Sequence, residues 1–194
     1  RPTNLNFTMN KFLMLLAVIT TISCGNTVKK SIAETQTDDL TSEEDFQKDM
    51  LLGEFHKEDL QQKPFSSWFT PRYEKFSPDT EAMATIKENI DDYKIKVLMG
   101  TWCGDSKREL PKLLKILDEA DYDYEDIELV AVDYNKTTPS KIEEELNVHR
   151  VPTIIFYKDG EEVNRFVEYP QEESIEEDIA IIVSGKEYRN SYAN

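Results

Sequence analysis

Apolar residues in this chain fall into separate runs with two spacings, and the spacing names the element that each run builds. Met83, Ile86 and Ile90 recur at i, i+3 and i+7 after the Ser77-Pro78-Asp79 break, which predicts a helix with one buried stripe. Ile95 to Met99 is short, mostly apolar and followed by Gly100, as a strand covered on both faces requires. After the Trp102-Cys103 turn a second helix places Leu110, Leu113, Leu114 and Leu117 on its apolar side, and Pro111 inside it predicts a kink. Leu129 to Tyr134 reads as the next strand. Thr138-Pro139 reads as the N-cap and first position of a helix that buries Ile142 and Leu146. Pro152 interrupts the chain before a strand from Thr153 to Tyr157, and Asp159-Gly160 turns that strand back into Val163 to Tyr169 as a hairpin. Ile175, Ile179, Ile182 and Val183 mark a last helix. The order βαβαββα predicts an α/β domain, a central sheet with helices on both faces.

Upstream of this body the pattern changes twice. The first Met is Met9, and Lys11 then precedes a largely apolar run from Phe12 to Ile22. That run is too short to cross a ~30 Å hydrocarbon core as a helix, but it suits the apolar stretch of an export signal behind a basic start. It closes in Thr21-Ile22-Ser23-Cys24-Gly25, which resembles the cleavage and lipidation site of bacterial lipoproteins, with Thr21 where a Leu is usual. Residues 1–23 are therefore expected to be an export signal, with 1–8 preceding the start of translation and Cys24 carrying lipid. Residues 24–50 are polar and mostly acidic and read as a flexible tether. In 51–72 the composition shifts, because Phe55, Phe65, Trp68 and Phe69 appear among Lys and Glu. This aromatic extension reads as a cap on the domain in preference to a partner-binding patch. The domain itself is expected at 73–190.

Composition narrows the chemistry. A chain of 194 residues accommodates one domain with appendages, and 23 Lys and Arg against 39 Asp and Glu give a net charge of −16, which repels nucleic acid. Cys24, Cys103, His56 and His149 are the only cysteines and histidines, so a multi-disulfide framework and a zinc site of paired Cys or His are excluded. No phosphate-binding glycine loop is present, and neither a metal nor a cofactor is expected. The acidic stretch from Asp118 to Glu128, with Tyr122 and Tyr124 inside it, reads as a solvated helix end and loop.

That leaves Cys103. A cysteine where a strand turns into a helix faces free N–H groups and the positive end of the helix dipole, which stabilise a thiolate. Asp105 beside it acts in the opposite sense. Trp102-Cys103-Gly104-Asp105-Ser106-Lys107 after a strand, Pro111 eight residues after the Cys, Arg150-Val151-Pro152-Thr153 farther on, and a closing hairpin and helix together resemble thioredoxin. The resemblance covers about Tyr73 to Lys186 and implies a thioredoxin-like α/β fold with a central mixed sheet. It further implies a cis Pro152 beside Cys103, and a substrate groove formed by Trp102, Gly104, Asp105, Val151, Pro152 and Thr153. Two positions depart from the family. The second cysteine that resolves a mixed disulfide is Ser106 here, and the buried acid that assists proton transfer falls on Val97.

Serine can hydrogen bond a neighbouring thiolate but cannot attack to form a disulfide, so an external thiol or a second thiol of the substrate must release any adduct. The expected function is thus an extracytoplasmic, membrane-anchored lipoprotein of a bacterial cell envelope. It would exchange thiols and disulfides of proteins or small molecules, as isomerase or reductase, with Cys103 attacking and Ser106 steadying the sulfur. The alternative is a non-catalytic binding module that keeps the groove for protein or glycan recognition. A peroxidase is the weaker third reading, since only Thr101 stands near Cys103 where that chemistry wants a Pro and Thr turn. A Cys103–His149 pairing is a further option, against the commoner outcome of an exposed loop histidine; His56 has no evident partner. For the export reading, Cys24→Ala is expected to move the protein from the membrane fraction to the soluble one or to block processing; an unchanged membrane-bound mature form would refute it.

Overall fold

The computed structural model describes residues 49–193; the export run, Cys24 and the tether as far as residue 48 lie outside the described residues. All the described residues fall in one unit, Thr37–Asn194. The chain enters through strand β1 (Gly53–Phe55), the short helix α1 (Lys57–Leu60) and α2 (Ser66–Lys75), and continues through α3 (Thr80–Asn89), β2 (Lys94–Met99) and α4 (Gly104–Glu119). Strand β3 (Ile127–Ala131), helix α5 (Ile142–Glu145), the hairpin β4 (Thr153–Lys158) and β5 (Glu161–Val167), and α6 (Ile175–Val183) complete it. The sheet has five strands in the order β1-β3-β2-β4-β5, with β2 and β3 parallel and the other neighbours antiparallel. This is the mixed sheet of a thioredoxin-like fold.

Alternation along the strands divides the core into two layers. Ile95, Val97 and Met99 of β2 join Leu129, Ala131, Ile154 and Phe156 on the face covered by α3, α4 and α6, where Ile86, Leu113, Leu117 and Ile179 are fully buried. Leu98, Val130 and Ile155 point the other way, against Val148, Val151 and the partly buried Ile142 and Leu146. Helix α4 runs through Pro111, and α3 is capped by Asp79, whose Oδ1 accepts from the amides of Glu81 and Ala82 at 2.9 Å. Asp159 and Gly160 both adopt positive φ, 55° and 84°, the pairing that matches a tight hairpin to strand twist.

Four elements differ from the sequence pattern. Strand β3 ends at Ala131, short of Tyr134: Val132 still donates to the Met99 carbonyl at 2.8 Å, but Asp133 then takes the amides of Asn135 and Thr137 on its own carboxylate and turns the chain away. Helix α5 starts at Ile142 instead of Pro139, because Lys141 sits at φ 59°, and the Thr138 hydroxyl accepts from the Ile142 amide while donating to Glu143 Oε2. Strand β5 covers Glu161–Val167 and stops where Glu168 reaches φ 62°. The tyrosines of the Asp118 to Glu128 stretch also turn inward: Tyr122 is buried and donates to the Tyr93 carbonyl at 2.7 Å, and Tyr124 donates to Asp118 at 2.9 Å.

The boundary drawn between 72 and 73 falls within α2, and the aromatic extension is part of the domain. β1 pairs with β3 at the sheet edge, and Phe55, Leu60, Phe65 and Phe69 belong to the main core cluster. Phe69 is 1% exposed and stacks on Tyr73 at 5.6 Å between centroids. A strand of three residues is too short to show a period of two, so the sequence pattern could not register it. Phe69→Ala is expected to cost about 3–5 kcal/mol of global stability. Urea unfolding should shift in a single transition; a separate early transition for the N-terminal segment would show that it is only an appendage.

Candidate active site

Strand β2 delivers the chain to Gly100 in the middle of the sheet, and two residues suffice to turn it into α4. The Cys103 amide donates to the Gly100 carbonyl at 2.9 Å, closing the turn, and the Cys103 carbonyl accepts from Lys107 at 3.0 Å, the first bond of the helix. Cys103 is therefore the N-cap of α4, with φ −76° and ψ 130°. Its side chain is half-buried, and Sγ lies 3.3 Å from the Val151 carbonyl, to which the thiol donates. The next peptide bond, Val151–Pro152, is cis.

The flanking loop is braced from both ends. Thr153 Oγ1 donates to the Arg150 carbonyl at 2.7 Å, and the Pro152 carbonyl accepts from the Glu168 amide at 2.8 Å. Val151 is 1% exposed and Pro152 is buried, so the loop presents backbone to the sulfur. Trp102 closes the other side. Its Nε1 donates to the Val132 carbonyl at 3.1 Å, and its ring stacks on the exposed Tyr134 with centroids 5.2 Å apart. Gly100 makes room for the indole, since a Cβ there would sit 2.7 Å from Trp102 Cε2. Gly104 is exposed with open space beside it. The structure thus brings Trp102, Cys103, Val151, Pro152 and Thr153 together.

Two residues behave differently from the expectation. Ser106 is fully buried and its Oγ accepts from the Gly100 amide at 3.1 Å, with no hydrogen bond to Cys103 Sγ among the described residues. It holds strand end to helix start in place of steadying the sulfur. Asp105 does not stand as an isolated charge next to the cysteine: Arg108 Nη1 pairs with it at 2.6 Å, and Arg108 Nε reaches the buried Glu109 at 2.5 Å. Arg108 is the residue that sequence reasoning missed, although its i+3 spacing from Asp105 was visible. The pair is about half exposed, so its own contribution to stability is small, roughly 0.2–1 kcal/mol. Val97 lies in the core as an aliphatic residue.

His149 is exposed and its Nε2 bonds Asn147 at 2.9 Å; no hydrogen bond to Cys103 is present among the described residues. His56 precedes α1, with its amide bonded to Asp59 at 2.8 Å. Behind the site, Asp118 at the far end of α4 bonds Lys57, Tyr73 and Tyr124, which ties the N-terminal segment to the helix that carries the cysteine. Burial first, and then the Asp118 hydrogen bond, push the Tyr73 phenol far above its ordinary range, so it remains a donor throughout the physiological range.

A cysteine that caps a helix at the end of a central strand, faced by a cis-proline loop, defines a thiol-bearing protein of thioredoxin fold. The family model for thioredoxin matches residues 71–181. Thioredoxin from Staphylococcus aureus is 35% identical over 106 residues, covering 49% of this chain and 94% of that protein. Among solved structures, a protein of unknown function from Pseudomonas aeruginosa superposes with a TM-score of 0.50 at 16% identity, over 62% of this chain and 84% of that one. The chain belongs to the thioredoxin family. Membership supports a thiol–disulfide redox function in general terms, with thiols and disulfides as substrates. Gly100→Ala is expected to displace the Trp102 indole, break its bond to Val132 and cost about 1–3 kcal/mol. Tryptophan fluorescence in a Trp68→Phe background should report greater solvent exposure; an unchanged spectrum and stability would refute the role given to Gly100.

Proposed function

We propose that this protein is an extracytoplasmic, lipid-anchored member of the thioredoxin family that exchanges disulfides through one cysteine. One observation carries the mechanism. Cys103 stands at the helix N-terminus against the Val151 carbonyl of the cis-proline loop, while one turn along the helix the resolving position holds Ser106. The Cys103 thiolate attacks one sulfur of a substrate disulfide in line. The Sγ–S bond forms, the substrate S–S bond breaks, and the departing thiolate takes a proton from solvent. An external thiolate, or a second thiolate of the substrate, then attacks the mixed disulfide and frees Cys103. No electrons are gained by the protein over the cycle, which favours isomerisation or transfer of a bound thiol over net dithiol reduction.

The groove roles follow the geometry. Trp102 and Pro152 flank the sulfur, Val151 and the exposed Gly104 offer backbone to an extended substrate strand, and Thr153, paired within the sheet, braces the loop through the Arg150 carbonyl. Asp105, compensated by Arg108, leaves the anionic sulfur without an uncompensated negative neighbour on the helix. The Lys11, Phe12 to Ile22, Ser23-Cys24 order supports export and lipidation at Cys24, with the acidic residues that follow as the tether. The rival, a binding module without exchange, draws support from Ser106, whose oxygen serves the backbone of Gly100 and not the thiol.

The test compares three versions of the protein. The native chain should form mixed disulfides with a disulfide-bearing peptide that persist until thiol is added, since no neighbouring sulfur expels them. Ser106→Cys should shorten the adduct lifetime by at least about tenfold and raise disulfide reduction, because a thiol one helical turn away acts at high effective concentration. Cys103→Ser should abolish both. Adducts are read by mass spectrometry; absence of adducts on native protein and no gain from Ser106→Cys would transfer the assignment to the binding module.

A further inference from the structure

The chain beyond residue 181 lies outside the part matched by the family model, yet it returns to the cis-proline loop. Tyr188 is buried and its hydroxyl donates to Asp178 at 2.8 Å, while Asn164 Nδ2 donates to the Tyr188 carbonyl at 3.1 Å. Ser191 Oγ bonds the Tyr169 carbonyl at 3.0 Å and takes a hydrogen bond from Gln171 at 2.7 Å. Thus fixed, the tail places the Tyr192 ring under the Arg150 guanidinium, 3.8 Å from its carbon, and the Tyr192 hydroxyl bonds Glu168. Arg150 Nη1 meets the same Glu168 oxygen at 3.4 Å. A guanidinium offers five donors in a planar fork, and the others on Arg150 have no partner among the described residues.

Between the tail and the loop lies a cleft of about 290 Å³ whose walls include Arg150, Arg165, His149, Asn147, Asn190 and Tyr192. Its walls carry no carboxylate, in a chain of net charge −16, and the Glu168 and Glu162 that pair with its two arginines stand behind them. Four other clefts among the described residues each carry at least one carboxylate in their walls. Arg165 is held by both oxygens of Glu162 at 2.6 Å, whereas Arg150 pairs with Glu168 through Nη1 alone at 3.4 Å, so Arg150 is the cation with donors left to take a second carboxylate. Arg150 also precedes Val151, whose carbonyl holds the Cys103 thiol.

We propose that this cleft is a carboxylate subsite, which selects substrate disulfides carrying an acidic group close to the sulfur. The proposal rests on the exchange function given above and names its substrate class. Stacking on Tyr192 presents the fork edge-on, and such an edge takes a carboxylate in bidentate fashion. The acidic group then lies to one side of the cis-proline while the disulfide reaches Cys103. The overall negative charge would by itself disfavour acidic substrates, so a preference for them reports this local cation. The carboxylate can come from a glutamate or aspartate of a polypeptide or from the glutathione tripeptide.

The full chain is presented with three disulfides: a peptide disulfide flanked by Glu, the same peptide flanked by Gln, and oxidised glutathione. The rate of adduct formation on Cys103 is read by mass spectrometry. The Glu peptide should react about tenfold faster than the Gln peptide at low salt, and the ratio should shrink at ~1 M salt, where charge interactions fade within a few ångströms. Arg150→Gln should bring the ratio near one, Tyr192→Ala should lower it part of the way, and Arg150→Lys should restore only part of it. Lys158→Gln, an equal change of net charge at the other end of β4, should leave the ratio as it is. A rapid, Arg150-dependent reaction with oxidised glutathione would assign the site to the tripeptide, and a preference confined to the peptide would assign it to polypeptides. If adducts form but the Glu and Gln peptides react alike, or the ratio ignores Arg150→Gln, the subsite is refuted while exchange stands. If none of the three disulfides gives an adduct, the exchange function fails and the subsite with it.

Discussion

Strand β2 is hydrogen-bonded on both sides, by β3 and β4, and its Leu98 and Met99 are covered on both faces. A chain leaving such a position has no neighbouring strand to turn into and no room for a long loop. It must bend at once, and Gly100 to Cys103 do so within a single hydrogen-bonded turn. Helix α4 then starts directly over the sheet end, with its unpaired amides facing the one cysteine of the domain. The burial of β2 therefore decides the placement of the sulfur, and the side chains around it only refine that placement. Ser106 belongs to the same constraint, because its hydroxyl satisfies the Gly100 amide that the strand leaves unpaired at a fully buried site.

The opposite end of α4 is anchored by a polar cluster. Lys57 and Asp118 are both partly buried and are joined by the phenols of Tyr73 and Tyr124. Removing one partner of such a pair leaves a partly desolvated charge uncompensated, which destabilises the junction. Lys57 also lies over the rings of Tyr73 and Tyr124, at 4.9 Å and 5.5 Å from their centroids. The N-terminal segment thus holds the cysteine-bearing helix from behind, while Leu51 donates to Thr101 at the front. One stretch of chain, from residue 51 to 75, touches both ends of the helix system.

How much of this was legible depended on the range of the interaction. Ile95 to Met99, the α4 leucines, the Asp159-Gly160 turn and the α6 isoleucines are local patterns, and each lies in the element its spacing implied. The Trp102 to Ser106 segment and Val151-Pro152 pointed to one place although they are far apart in sequence. β1 was not legible, since a three-residue strand gains its identity only from its partner Leu129 to Ala131. Asp118 was misread for the same reason: its neighbours in sequence are acidic and polar, but its partners in space are Lys57 and Tyr73. The orientation of Ser106 was equally hidden, because a hydroxyl one turn after a cysteine can face either the sulfur or the preceding strand. Arg150 and Tyr192 lie on separate segments, and nothing in either one signals the stack they form.

The two margins of the sheet have a consequence for how copies of the domain meet. One margin is β1, only three residues long, and the other is β5, which carries Glu161, Glu162 and Arg165 along its exposed part. An unpaired strand margin is a template for another chain, and short length and charge are the two devices that spoil such a template. Val163, 47% exposed, is the single large apolar side chain there, and it sits between carboxylates on one side and Asn164 and Arg165 on the other. An approaching strand would find only three residues to pair with at one margin and would have to desolvate the carboxylates of Glu161 and Glu162 at the other, which disfavours extension of the sheet at either side.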